Sequence, residues 1–409
     1  MSVQSMVHYL FVDMNSYFAS VEQQLNPELR GKPIAVSPVG ADSTACIAAS
    51  YEAKRYGVKT GTMIGDAKRL CPGLIVIAAR PQVYVQMHHQ IVDAVGSVLP
   101  VSHVMSVDEM MCKLWGDHRP VEAALALAGR VKEAIYRQAG EYMHCSIGLA
   151  TNRLLAKVAG DMKKPNGLTV IRKEDLPDKL LPLQIDDIPG IGMRMKRRLN
   201  AAGVFSMNDL LRQPAAQLGR IWGSKFLGSI FWHRLRGVEI VDTATHRRSL
   251  GHSRVLEPQL RNPGDARAVM IRLIHKAAAR LRHIGYYARS IQLNVSYTDR
   301  SRWKERIRIN ELQDTLSLLR RTMAMWDQHD HADPKKIGVV FGDLIAEANV
   351  PQSLFEEQNK LILLAKAMDR VNECFGRHMV HFGGMFGLRE RVSTRIAFGT
   401  VPDLSFSDC

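Results

Sequence analysis

His8-Tyr9-Leu10-Phe11-Val12-Asp13-Met14-Asn15-Ser16-Tyr17-Phe18-Ala19-Ser20-Val21-Glu22 carries two structural signals in one stretch. The apolar run to Val12 ends in a carboxylate, and beyond Ser16 the apolar positions Phe18, Val21 and Leu25 recur at helical spacing. A strand therefore runs straight into a helix, with Asp13 at the junction.

Downstream, turn signals at Pro27 and Gly31 precede strand-like runs at Pro33 to Ser37 and Ala45 to Ala49 and a short helix from Tyr51 to Tyr56, ended by Gly57. These make a small mixed insert reaching Pro72. Strand-like runs recur at Leu74 to Ala78, His103 to Ser106 and Met110 to Leu114, and helical patterns fill Tyr84 to Val98 and Val121 to Ala139. Such alternation predicts an α/β or α+β sheet layer with helices on one side. From Leu176 to Gly237 the pattern is helical, broken at Pro189-Gly190, Gly203, Pro214 and Gly223. Val238 to Arg248 is polar and basic without periodicity, as a linker is. Next come strand (Ser249 to Leu256), helix (Ala266 to Ile284), strands (Ser290 to Thr298, Trp303 to Ile309), helix (Leu312 to Trp326) and strand (Lys336 to Leu344). That is a complete β-α-β-β-α-β unit. A tail from Glu347 holds one more helix, Glu356 to Phe375.

At 409 residues the chain requires several domains, and its 55 Lys+Arg against 40 Asp+Glu, a net +15, favour a polyanionic partner. The six cysteines form no C-x-x-C pair, which removes a zinc site and a disulfide framework from consideration. No secretory leader pattern opens the sequence and no apolar stretch approaches the roughly 20 residues of a membrane span. A cytoplasmic protein with no membrane partner is expected.

Asp13 and the adjacent Asp108-Glu109 converge if their strands are neighbours. Carboxylates gathered on one sheet edge repel unless cations sit among them, and hard oxygen ligands suit Mg²⁺. Strand-end aspartates are also common as caps and turn residues, so spacing alone leaves both readings open. The surrounding strings narrow the choice. Val12 to Glu22 (V-D-M-N-S-Y-F-A-S-V-E), Ala49 to Val58 (A-S-Y-E-A-K-R-Y-G-V), Ser106 to Glu109 (S-V-D-E), Ser146 to Gly167 (S-I-G-L-A-T-N-R-L-L-A-K-V-A-G-D-M-K-K-P-N-G) and Asp187 to Gly192 (D-I-P-G-I-G) resemble, in order and separation, the signature blocks of Y-family (DinB/UmuC-type) translesion DNA polymerases.

The resemblance implies a multi-domain, right-hand-like polymerase: palm at 1–25 and 73–172, small fingers at 26–72, helical thumb with a helix-hairpin-helix at 173–237, linker at 238–248, little finger at 249–346 and a tail at 347–409. It implies that Asp13, Asp108, Glu109 and the Met14 carbonyl hold two Mg²⁺ ions, with Mn²⁺ an alternative. The primer hydroxyl would attack the α-phosphate of a dNTP. Phe18 takes the steric-gate position beneath the sugar. Tyr51, Lys54 and Lys164 would hold the triphosphate, Asn15, Ser16, Tyr17 and Phe18 would offer helix-start amides, Ser50 would line the pocket, and Ala45 and Ile47 would form a lid over the nascent pair. The DinB branch usually carries Thr and Arg where this chain has Ala48 and Lys54, and Asn15 resembles the UmuC branch, so the branch stays open. Weak steric checking and no proofreading domain imply low fidelity, synthesis across damaged DNA and a place in the SOS response.

For DNA, the Gly190 and Gly192 turn resembles a helix-hairpin-helix whose amides approach a phosphate. Arg302, Lys304, Arg306 and Arg308 alternate with Trp303, Glu305, Ile307 and Ile309, placing four cations on one face of a strand. Ser290, Gln292, Asn294 and Ser296 give the next strand a polar face, and Arg254 is a further expected contact. These residues predict primer-template DNA as partner. Gln352 to Phe355, with Leu354 and Phe355 as anchors, resembles a sliding-clamp-binding motif, and the tail beyond resembles UmuC-type proteins. A bacterial, nucleoid-associated monomer is the expectation. Two other readings remain: a catalytically silent polymerase-like DNA-binding adaptor, which has no need of clustered carboxylates, and a two-metal nuclease, which has no need of a dNTP pocket.

Overall fold

The computed structural model describes residues 5–240, 246–351, 356–376 and 379–383. They fall into two compact units, the first ending by residue 242 and the second beginning at 243.

In the first unit, β1 (Tyr9–Met14) runs into α1 (Tyr17–Leu25), as the opening stretch requires. There follow β2 (Ile34–Ser37), β3 (Ala48–Ala49), α2 (Tyr51–Arg55), α3 (Ile64–Leu70), β4 (Ile75–Ala78), α4 (Pro81–Gly96), β5 (His103–Val104), β6 (Glu109–Lys113), α5 (Val121–Ala139), β7 (Cys145–Ala150), α6 (Arg153–Met162) and β8 (Leu168–Ile171). The main sheet has the order β5-β6-β1-β7-β8, with β1 central and antiparallel to both neighbours.

Every residue of β1 is buried, which is why it reads as a continuous apolar run. Leu10, Val12 and Met14 enter the core made with α1, α4 and α5, while Tyr9 and Phe11 pack on the other face with residues of α6. The sheet is thus covered on both faces, not one. The missed cover is α6, which lies so close on β7 that a Cβ at Gly148 would stand 2.0 Å from the Ala156 carbonyl oxygen. Only glycine fits there.

β2, β3 and β4 form a separate sheet of order β3-β2-β4, with β2 and β4 parallel. The run Leu74 to Ala78, expected in the palm, therefore belongs with the fingers strands. Ile34, Val36 and Ala48 join the palm core, whereas Ala35, Ala49, Ala53 and Ile64 make a small core of their own. Ala45 to Ala49 pairs as a strand only at its last two residues, and Ala45 makes an isolated bridge to Met63.

Beyond β8, regular helix starts only at α7 (Met193–Ala201), later than the expected Leu176. α8 (Met207–Arg212), α9 (Ala215–Trp222) and α10 (Lys225–Arg234) follow, interrupted where Gly203, Pro214 and Gly223 stand. The linker stretch is anchored at both described ends. The Asn152 side chain donates to the Val238 carbonyl at 3.2 Å, the Tyr9 hydroxyl bonds Glu239 at 3.2 Å, and Leu344 N donates to Arg248 O at 3.3 Å.

The second unit contains β9 (Ser249–Val255), α11 (Pro263–His283), β10 (Tyr286–Tyr297), β11 (Arg302–Leu312), α12 (Thr315–Trp326), β12 (Pro334–Gly342), β13 (Ile345–Ala346) and α13 (Glu356–Phe375). Its antiparallel sheet has the order β11-β10-β12-β9. One face packs Ile291, Leu293, Val295, Ile337, Val339 and Phe341 against α11 and α12. α13 is tied to this unit by the buried Arg282, whose guanidinium pairs with Asp369 at 2.6 Å and donates to Gln313 O at 2.8 Å. Among the described residues no helix is long and apolar enough to cross a membrane.

Candidate active site

Asp13 lies opposite Glu109 in the β1–β6 register, and Met14 N donates to Asp108 O at 2.9 Å. Asp13 and Glu109 thus sit on two adjacent strands at one end of the sheet, with Asp108 in the bend just before β6. Two lysines lie between and beside them. Lys164 Nζ stands 2.8 Å from Asp13 Oδ2 and 2.7 Å from Asp161, and Lys157 Nζ stands 2.5 Å from Glu109. Ser106 Oγ donates to Asp108 Oδ1.

Burial pushes the Asp13 carboxyl up to about 7 despite the pull of Lys164, with Glu109 and Asp161 adding repulsion. Burial works against the charge on Lys164, yet Asp13 and Asp161 hold its pKa above the ordinary lysine value. Among the described residues no three acidic, His or Cys side chains close into a metal cage by themselves. Magnesium does not need one, because it is normally held by one or two carboxylates plus water and substrate phosphates. A buried carboxylate of raised pKa, countered only by flexible lysine ammoniums, is a donor set that fits a hard divalent cation.

Lys157 and Asp161 were not singled out from sequence. Their signal is the i, i+4 spacing within Ser146 to Gly167, which puts both on one face of α6, where Lys157 reaches Glu109 and Asp161 reaches Lys164.

Phe18 is buried on α1, its ring 4.6 Å from Tyr84 and 5.4 Å from Tyr17. Tyr84 is held in turn, its hydroxyl donating to the buried Glu22 at 2.7 Å and its carbonyl accepting from Tyr17 at 2.6 Å. Lys54 Nζ lies 4.3 Å from the centre of the Tyr51 ring and donates to Ser16 Oγ at 2.7 Å, which brings Tyr51, Lys54 and Ser16 together. Burial and the nearby Lys164 depress the Lys54 pKa.

Two expected pocket residues face elsewhere. The Ser50 hydroxyl is buried, caps α2 by accepting from Ala53 N at 3.3 Å and also accepts from Ile34 N at 3.1 Å. Asn15 is 2% exposed with its side chain turned into the protein, and its backbone N–H, expected to face phosphate, donates instead to His144 O at 2.9 Å. Ile47 is half-buried at the lid position.

On the second unit the alternation holds in three dimensions. Arg302, Lys304, Arg306 and Arg308 are exposed, and they pair across the ladder with Ser296, Asn294, Gln292 and Ser290. The same open face continues over Gly342, Gly338 and Gly251. Arg306 is tied to Asp343 at 2.6 Å. Arg254 is a correction: it is in register with the core residue Ile337, so it points to the helix-covered face and ion-pairs with Glu257 at 3.1 Å. At Gly190, φ is +95°, and a Cβ at Gly192 would meet nothing within 4 Å, which leaves the turn open to close approach. The clamp-like residues Gln352 to Phe355 lie outside the described residues.

A carboxylate-bearing palm sheet with small fingers, a helical thumb and a β-α-β-β-α-β little finger is the architecture of a Y-family DNA polymerase. Comparison with known proteins agrees. Residues 12–161 match the impB/mucB/samB family model and residues 247–354 match the model of that family's C-terminal domain. The chain is 31% identical to the DNA polymerase IV of Pelotomaculum thermopropionicum over 91% of this chain and 93% of the relative. It is 30% identical to the DNA polymerase IV of Moorella thermoacetica over 93% and 96%. A solved Y-family DNA polymerase chimera of Dbh and Dpo4 superimposes with a TM-score of 0.66 at 26% identity, covering 83% of this chain and 99% of that one. An insertion ternary complex of Dbh DNA polymerase gives 0.55 at 25% identity, with the same coverage.

The chain belongs to the impB/mucB/samB family, as a DinB-type member of the Y-family DNA polymerases. It is a DNA-directed DNA polymerase of the translesion class, and dependence on a divalent metal comes with that class.

Proposed function

We propose that this polymerase extends primers across damaged templates with low fidelity, by nucleotidyl transfer from dNTPs at a site where Asp13, Asp108, Glu109 and the Met14 carbonyl hold two Mg²⁺ ions. The reading rests on one observation above the others: Asp13 and Glu109 face each other on adjacent central strands, with Asp108 beside them. Bound there, the two ions would supply activation of the primer hydroxyl and charge stabilisation on the leaving pyrophosphate.

The protein's own groups do the rest. Lys164, Lys54 and Tyr51 hold the triphosphate, the lysines by charge-assisted hydrogen bonds. Phe18, backed by Tyr84, fills the space a ribose 2′ hydroxyl needs. Ala45 and Ile47 form the lid, and the small fingers leave the nascent pair loosely covered, which supports tolerance of damage. Duplex backbone lies along the Arg302 to Arg308 face and at the Gly190 and Gly192 turn, through contacts that do not depend on sequence. Gln352 to Phe355 engages a sliding clamp.

Primer extension with Mg²⁺ on an undamaged and an abasic template tests the proposal, using the wild type and Glu109→Ala. Extension of both templates, lost in the variant, is the expected result. DNA binding without extension by the wild type points to the silent adaptor instead.

A further inference from the structure

Asn15 follows the metal-ligand end of β1 by one residue, yet its side chain turns away from the cleft and is 2% exposed. Its Oδ1 accepts from Asn166 N at 2.6 Å and its Nδ2 donates to Ser146 Oγ at 3.0 Å. Ser146, itself fully buried, accepts from Gly167 N at 3.3 Å. One side chain and its hydroxyl partner therefore satisfy two consecutive amides of the loop that follows α6. From the outer side Lys132 Nζ donates to Asn166 O at 2.6 Å and to its side-chain oxygen at 2.9 Å.

The loop between these pins has little freedom. Asn166 has φ +53°, and a Cβ on Gly167 would stand 1.7 Å from Lys163 O. Lys164 lies inside this loop, and its ammonium is shared between Asp13 and Asp161 at 2.8 and 2.7 Å. Removing the Asn15 acceptor leaves the part-buried Asn166 amide without its partner, and the loop shifts to resatisfy it. A displacement there is passed directly to Lys164.

We propose that Asn15 is the positioning residue for Lys164: by holding the Lys163–Gly167 loop against the end of β1, it sets the ammonium where the triphosphate of the incoming nucleotide arrives. The inference rests on the reading of Lys164 as a triphosphate ligand. Asn15 touches no substrate; it acts through the loop. Aspartate at 15 keeps the acceptor for Asn166 N, and the Ser146 hydroxyl turns to donate instead, so Asn15→Asp is the conservative rescue.

Single-turnover incorporation separates dNTP affinity from the rate of chemistry. In Asn15→Ala the Kd for dNTP is expected to rise roughly tenfold while the maximal rate changes by less than about threefold. Asn15→Asp should restore affinity to within about threefold of the wild type, and Lys132→Met, which removes only the outer pin, should weaken it by about threefold. Lys164→Ala is the reference, and Asn15→Ala combined with it should be no worse than Lys164→Ala alone, because both act through one ammonium.

Weakened affinity in Lys164→Ala but not in Asn15→Ala overturns the proposal and leaves the role of Lys164 intact. Unchanged affinity in Lys164→Ala removes the triphosphate reading and the proposal with it. If Asn15→Ala does not fold, as a thermal melt would report, unchanged affinity in Lys132→Met overturns the proposal.

Discussion

The two charged regions of this protein are built in opposite ways. At the end of β1 the charges are mutually paired around the buried Asp13, Asp13 with Lys164, Glu109 with Lys157 and Lys164 with Asp161. On β11 they are exposed, and among the described residues no ion pair engages Arg302, Lys304 or Arg308. Pairing around a buried carboxylate fixes atoms for chemistry and costs desolvation, whereas exposed, unpaired cations remain free to neutralise phosphates and release counterions. Substitutions in the first region should therefore change rates or sugar choice with little effect on DNA affinity, and those in the second should do the reverse.

The largest effect that sharpens this contrast is expected at Phe18. Phe18→Ala should raise ribonucleotide incorporation relative to dNTP use by roughly a hundredfold, the scale of discrimination a shaped pocket provides. Competing rNTP and dNTP in a single-nucleotide assay measures it, and unchanged sugar selectivity rejects the gate.

On the other region, Arg302→Ala, Lys304→Ala and Arg308→Ala combined should lower primer-template affinity at moderate salt and flatten the log Kd against log salt slope by about three. Arg306→Ala should do less, because Asp343 already neutralises that guanidinium. Arg254→Ala should leave the slope unaltered, since it faces the helices. A slope change at Arg254 matching those on β11 breaks the comparison.

Gly148→Ala tests whether the tight α6–β7 contact holds the palm lysines. Its Cβ would overlap the Ala156 carbonyl at 2.0 Å, so thermal stability should fall by about 3 kcal/mol.

The smallest effect expected belongs to His252. Burial, with Lys276 and Arg280 nearby, lowers its pKa to about 4 from 6.5. The unfolded chain then binds more protons between those values, so the contribution of His252 to stability is complete above pH 6.5 and is lost as pH falls toward 4. His252→Gln should flatten this dependence in a melting series across that range.

What sequence made legible follows the same division. Period-two alternation fully specified the β11 face and its partner on β10, because it is a local property of an exposed strand. The fully buried β1 and its hand-over to α1 were equally plain. Tertiary choices were less so. β7 was not read as a strand, since Cys145 to Ala150 is buried on both faces and shows no alternation. The partner of Leu74 to Ala78 was misplaced because parallel pairing leaves no local mark. Asn15 was expected to offer a helix-start amide to phosphate, when its backbone N–H is taken by His144 O and its side chain serves a loop 151 positions away. Arg254 was counted with the basic face because charge was weighed without register.

The most direct test of the account is Asp108→Ala, with single-turnover extension in Mg²⁺ and primer-template affinity measured on the same preparation. Extension slowed by at least about a thousandfold, with DNA affinity within about twofold of the wild type, is the predicted result. An unchanged rate, or a loss of rate that merely tracks a loss of DNA binding, would contradict it.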